Sequence, residues 1–205
     1  MQLQDRIGAF IVPGGCFFRV WAPNAENVAV LVQEPPYWEV DDVITRQDLV
    51  KGAKGYWSGS VPGVRAYQIY RFEIRFAGNT FERLDSAGRD VFSSELARFG
   101  DPSNRNASII PGPDAFPWAP FQTPRFEDFI IYQFHIGTFS GRNDDLGKDW
   151  ASFEDTINKL GYIRDMGFNC IQPLPVHEYS RDRSWGYNPA TFFAPESSFG
   201  SQFNL

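Results

Sequence analysis

Apolar and polar positions change places at short intervals through the first half of the chain. In YQIYRFEIRF (67–76) they alternate over much of the run, the period of a strand with one buried and one solvated face. The same reading predicts strands over 16–21, 27–33, 56–61 and 80–84. Clusters of Gly, Pro and Asn (APNAE, EPP, KGAKG, PGVR, AGN) separate them at intervals of about 8 to 14 residues, the spacing of an all-β sandwich. No helix-length amphipathic stretch interrupts residues 1–110. PGPDAFPWAPFQTP (111–124) then holds five prolines, which remove N–H donors and fix φ, so 111–125 reads as an extended connector. Phe116, Trp118 and Phe121 suggest that it is glued to a neighbour.

Beyond the connector the period changes. DFIIYQFHIGTF is apolar and β-rich, Ser152 with Asp155 three residues on is a capping signal, and Phe153, Ile157, Leu160 and 164–166 trace an apolar stripe at helical spacing. Gly167 supplies the stop, and FNCIQPLPV reads as a buried strand closed by Pro173 and Pro175. Strand, helix, strand predicts a βαβ unit with parallel strands and a right-handed crossover.

Composition narrows the partners. With 42% hydrophobic and 21% charged residues the 205-residue chain can bury a core, and 20 Phe, 8 Tyr and 6 Trp exceed what a small core requires. A net charge of -6 without a Lys/Arg run argues against nucleic acid or an anionic membrane and for a neutral ligand. Cys16 and Cys170 are expected as two buried free thiols. No metal or cofactor is expected. The apolar stretch 7–12 is too short for a signal sequence and no run reaches the roughly 18 apolar residues of a membrane span, so the expected location is cytoplasmic.

In parallel sheets the ligand lies beyond the carboxyl ends of the strands, here near 138–140 and 176–179. RSWGYNPATFFAP (183–195) follows the second of these. A Tyr or Trp ring held there can lie against the C–H face of a sugar while Arg181, Asp182, Arg183 and Asn188 bond hydroxyls. The other reading has Trp185, Phe192 and Phe193 plugging the top of the domain. His135 reads as a satisfied core or near-core histidine, and His177 and Glu178 as site or supporting residues. Asp144 and Asp145 read as a solvated loop or a cation site. In the sandwich, Trp38, Tyr56 and Trp57 are the candidates for an exposed glucan platform, with a core position as the alternative for Trp57, while Trp21 is expected to face the core.

FRVWAPNAENVAVL (18–31) resembles the early-set carbohydrate-binding sandwich that precedes the barrel in isoamylases, glycogen branching enzymes and trehalose-releasing glucan hydrolases. IIYQFHIGTF (130–139), LGYIRDMGFNCIQPLPVHEY (160–179) and WGYNPATFFAPESSFG (185–200) are similar to the first strand, first helix, second strand and following loop of the α-amylase family barrel. The resemblance implies an all-β immunoglobulin-like sandwich (1–110), the connector (111–125), and the start of a (β/α)8 TIM barrel, incomplete in this chain (126–205). It implies that Tyr187 stacks on the sugar at the cleavage subsite, with Trp185, Asn188 and Glu178 also binding substrate. Gly167 and Pro175 are structural. The partner implied is an α-glucan: glycogen, starch or maltooligosaccharide.

The family breaks or transfers α-glucosidic bonds by a retaining double displacement between two carboxylates roughly 5 Å apart, supplied by the fourth and fifth barrel strands. A whole barrel takes about 250 residues, and 126–205 supplies about a third of that. No catalytic residue is therefore expected in this chain, which is expected to be inactive alone. Three readings follow: the amino-terminal part of an α-glucan hydrolase, branching or trehalose-releasing enzyme; a non-catalytic glucan-binding module with a vestigial barrel stub; or a sandwich that only docks.

Overall fold

The structure is a computed structural model and describes residues 5–33, 45–92, 106–112, 119–140, 150–179 and 184–201. The chain divides into two compact units, Met1–Asp114 with Thr191–Ala194, and Ala115–Ala190 with Pro195–Leu205.

The first unit is built from two antiparallel sheets. Strands β1 (Gly8–Val12), β2 (Gly15–Trp21), β6 (Tyr56–Pro62) and β5 (Val50–Lys51) form one, in the order β1-β2-β6-β5. The other runs β4 (Thr45–Asp48), β3 (Asn27–Gln33), β7 (Ile69–Phe76), β10 (Ala107–Ile109), β9 (Val91–Phe92), with β8 (Asn79–Arg83) also paired to β7. Alternation explains the core: Cys16, Phe18 and Val20 point inward from β2, Val28, Val30 and Val32 from β3, and Tyr70 and Phe72 from β7. Phe18 and Tyr70 meet edge to face at 5.2 Å.

Five strands lie where the alternation announced none: β1, β4, β5, β9 and β10. β4 is the polar TRQD, and β5 and β9 have two residues each; partners create them, because too few apolar side chains mark them. Conversely, β7 starts at Ile69, and Tyr67 has φ +69, outside the strand region. A polar group sits deep in this unit. Asp85 is fully buried, with Oδ2 accepting from the Tyr70 hydroxyl at 2.7 Å and Oδ1 from the Ala87 N–H at 2.9 Å. Burial raises its carboxyl above the ordinary 3.8.

In the second unit β11 (Ile131–Phe134) pairs in parallel with β12 (Cys170–Pro173), Ile131 opposite Cys170 and Phe134 opposite Pro173. Pro173 thus takes the last position of the ladder. The intervening helix differs from the expectation of one segment. After the short α1 (Ile136–Phe139), the chain forms α2 (Phe153–Ile157) and α3 (Leu160–Asp165). At the break the Lys159 N–H donates to Thr156 O rather than to the carbonyl four residues back, tightening the turn. The start follows the capping signal, with Ser152 and Asp155 forming a reciprocal capping box. Phe153, Thr156 and Ile163 are buried, whereas Ile157, Leu160 and Met166 are exposed. Phe134, Ile136, Phe153, Ile163, Tyr179 and Phe199 form this unit's core.

Both cysteines are free. Cys16 is buried, and burial pushes its thiol up to about 12. Cys170 is only partly buried, a correction to its expected core position, because β12 is covered on fewer sides. Among the described residues, no helix is long and apolar enough to cross a membrane.

Candidate functional site

Chain beyond β12 is held against the carboxyl ends of both strands by two buried glutamates. Glu178 Oε2 accepts from the Ser197 N–H at 2.7 Å, and Glu196 Oε2 accepts from the Tyr179 N–H at 3.1 Å. Each carboxylate therefore grips the residue next to the other, a reciprocal clasp. Glu196 Oε1 also accepts from the N–H and hydroxyl of Ser198 at 3.1 and 2.6 Å, and single bridges pair His177 with Pro195 and Tyr179 with Pro189. Charge-assisted bonds of this kind are about twice as strong as neutral ones. Burial and the adjacent Glu196 push the Tyr179 phenol up to about 12.

The loop closes on itself between Ser184 and Asn188. Ser184 Oγ accepts from the Gly186 N–H at 3.0 Å and bonds Asn188 Oδ1. Gly186 has φ +83, and a methyl group there would overlap Pro175 O, so glycine is required twice over. His135 Nε2 lies 3.0 Å from Ser184 O, and its ring meets Trp185 edge to face at 5.1 Å. Trp185 and Tyr187 consequently stand out of the loop, 60% and 72% exposed, on a backbone fixed from beneath.

The residues expected to bind substrate take different places. Tyr187 and Trp185 are presented to solvent and Asn188 is engaged with Ser184. Glu178 is not positioned to touch a ligand: it is 2% exposed and holds the loop. Phe192 and Phe193 are exposed. His135 is satisfied at one nitrogen only, since Nδ1 is buried without a partner among the described residues. Arg181, Asp182, Arg183, Asp144 and Asp145 lie outside the described residues.

On the sandwich the expected aromatic platform is rearranged. Trp57 is 5% exposed, packs in the core, and donates its indole N–H to Ala22 O at 2.9 Å. Trp21, expected inside, is 59% exposed. The pleat explains both: Val20 points inward, so Trp21 points out, and Tyr56 is opposite Trp21 in register, so Trp57 points in. Tyr56 remains on the outer face, but the Arg19 guanidinium lies 4.0 Å from its ring centre and covers one side. Trp38 lies outside the described residues. Glu196 was missed altogether, since nothing in PESSFG distinguishes a buried clasp from a solvated turn. Among the described residues, no cluster of three His, Cys, Asp or Glu could hold a metal.

Rigid, exposed aromatic rings with neighbouring hydrogen-bonding groups suit a polyol, whose C–H faces pack on rings while its hydroxyls bond the rim. Comparison with known proteins points the same way. Residues 6–87 match the family model for carbohydrate-binding module 48, the isoamylase N-terminal domain. A 1,4-alpha-glucan branching enzyme from Rhodopseudomonas palustris is 34% identical over 98% of this chain and 27% of its own length. The chain thus spans about a quarter of the curated relatives that it matches. Among solved structures, the catalytic module of the pneumococcal glycogen-degrading factor SpuA has a TM-score of 0.75 at 24% identity, over 97% of this chain and 33% of that one. A putative alpha amylase from Salmonella typhimurium has a TM-score of 0.73 at 23% identity, over 97% and 29%; at these identities the likeness concerns fold. Residues 6–87 are a carbohydrate-binding module 48 of the isoamylase amino-terminal type, and over 98% of its length the chain is similar to part of the 1,4-alpha-glucan branching enzymes.

Proposed function

We propose that this chain is the glucan-binding amino-terminal portion of a cytoplasmic α-glucan-active enzyme, and that its 184–200 loop forms one wall of the glucan cleft on the opening strands of a (β/α)8 barrel. The observation that carries the reading is the clasped loop, which holds Trp185 and Tyr187 outward on a backbone fixed by two buried glutamates. Preorganised rings lose little freedom on binding, so their apolar contact with a sugar is not spent on ordering them. Tyr187 stacks on a glucosyl unit and Asn188 bonds its hydroxyls.

Bond cleavage or transfer in the complete enzyme takes the retaining route through two carboxylates about 5 Å apart. Glu178 and Glu196 do not fill those roles, because both are buried and bonded to backbone N–H groups. Glycogen, starch-like chains and maltooligosaccharides are the proposed partners. Co-sedimentation of the purified chain with glycogen tests this: retention, weakened by Tyr187→Ala, is expected, and a chain that stays wholly in the supernatant at any glycogen concentration defeats the proposal.

A further inference from the structure

The outer face of the β1-β2-β6-β5 sheet carries a polar pocket that neither the core nor the clasped loop uses. Asp5, Arg19, Lys54, Tyr56 and Ser58 line a space of about 370 Å³, together with Gly52 and Ala53. Register assembles it. Arg19 on β2 is directly opposite Ser58 on β6, and Tyr56, two residues along, is on the same face. The turn Ala53–Gly55, between β5 and β6, adds Lys54.

Two cations meet here without a counter-charge. On the other sheet Arg46, Arg71 and Arg75 each pair with a carboxylate, at 2.8 Å to Glu73, 3.3 Å to Glu82 and 3.5 Å to Glu26. Arg19 is partly buried and lies instead over the Tyr56 ring, 4.0 Å from its centre. Among the described residues, neither Arg19 nor Lys54 forms an ion pair, and Asp5, the one carboxylate lining the pocket, pairs with neither. Desolvating a charge without pairing it is unfavourable, so a ligand that supplies the missing anion gains more here than on open surface.

The cations are placed before any ligand arrives. The Tyr56 ring restrains the Arg19 guanidinium. Lys54, at φ +57, sits in a turn tied by Trp21 Nε1, which donates to Lys54 O at 3.1 Å, by the Gly52 N–H to Tyr56 O at 2.7 Å and by the Ala22 N–H to Gly55 O at 2.9 Å. The Tyr56 and Ser58 hydroxyls add two further donors.

This donor set selects the occupant. A planar guanidinium bonds phosphate through two N–H groups at once, and an ammonium adds a point charge. The volume falls at the lower end of the range of about 300–1,000 Å³ typical of small-molecule clefts, more than a bare phosphate fills. Asp5 repels a second anionic group and accepts from a hydroxyl, so the rest of the ligand is neutral and hydroxylated. We propose that this pocket binds a phosphate monoester of a small polyol, a sugar phosphate in chemical class. The site is separate from the Tyr187 loop, and its assignment does not depend on the glucan reading.

Equilibrium dialysis of the 205-residue chain in low-salt buffer at neutral pH tests the site, with glucose 6-phosphate, inorganic phosphate and glucose as probes. Glucose 6-phosphate is expected to bind at one site, more tightly than inorganic phosphate and far more tightly than glucose, and to weaken as sodium chloride is raised. Arg19→Ala and the exposed-site variant Lys54→Gln each weaken it about tenfold, and Arg19→Lys recovers part of the loss. Asp5→Asn, which keeps an acceptor but removes a negative charge, tightens both phosphates severalfold, and Tyr187→Ala changes none of these affinities. Binding that survives both Arg19→Ala and Lys54→Gln, or that glucose matches, overturns the proposal. Equal affinity for inorganic phosphate and the ester overturns the sugar phosphate and assigns the pocket to free phosphate. Retention of no probe overturns the site altogether and leaves the glucan reading standing.

Discussion

Trp21 and Trp57 are adjacent in the sheet and opposite in fate. Truncating Trp57 leaves a core cavity and removes one of the two donors to the Ala22 carbonyl, so Trp57→Ala is expected to cost about 3–5 kcal/mol. Trp21→Ala removes an exposed ring and costs less than about 1 kcal/mol. Urea unfolding of the two variants measures both, and equal losses would contradict the assignment of faces. Asp85 gives a pH signature. Burial raises its folded pKa above the ordinary 3.8 of an unfolded chain, so the folded protein holds that proton more tightly. Its contribution is full below about pH 3.8 and is lost as pH rises through the raised value. The stability of the native protein relative to Asp85→Asn should therefore decline from pH 3.8 towards 7, and unfolding titrations across that range would show a flat difference if the carboxyl were unperturbed.

At the scale of elements, the loop after β12 depends on bonds between distant turns, not on any helix or strand of its own. Removing the Glu196 carboxylate strands the Tyr179 N–H and the Ser198 N–H and hydroxyl at once. Glu196→Ala is expected to cost about 2–3 kcal/mol, and Glu196→Gln less because an acceptor remains. Limited proteolysis reports the local consequence: cleavage within 184–195 accelerates in Glu196→Ala, and an unchanged rate rules out the clasp.

Over the whole molecule the two units differ in how well they cover their apolar residues. The sandwich core contains fully buried Phe18, Val28, Val30 and Phe72, whereas Ile130, Ile131, Tyr162, Met166 and Ile171 of the βαβ unit are exposed. A two-stranded parallel sheet leaves both edges open. Residues 1–110 alone are expected to melt in one sharp transition, while the 205-residue chain binds a hydrophobic dye in its native state. A dye-silent, sharply melting full chain would show that these faces are covered in solution.

What the sequence alone determined was whatever repeats locally. Residues 27–33 have the limits of β3, the prolines mark the end of β12, and Ser152 with Asp155 starts α2; in each case neighbouring residues carry the signal. The aromatic loop and its Tyr187 were legible as chemistry because ring, glycine and proline are concentrated in one stretch. Tertiary structure decided the rest. The short strands β4, β5, β9 and β10 exist through their partners, and Glu178 became a support instead of a ligand contact because Ser197, far along the chain, supplies its N–H. The pocket of Arg19, Lys54 and Tyr56 joins residues far apart in the chain. No local period encodes such a meeting, because it depends on sheet register, and register is set by the energy of packing the whole core.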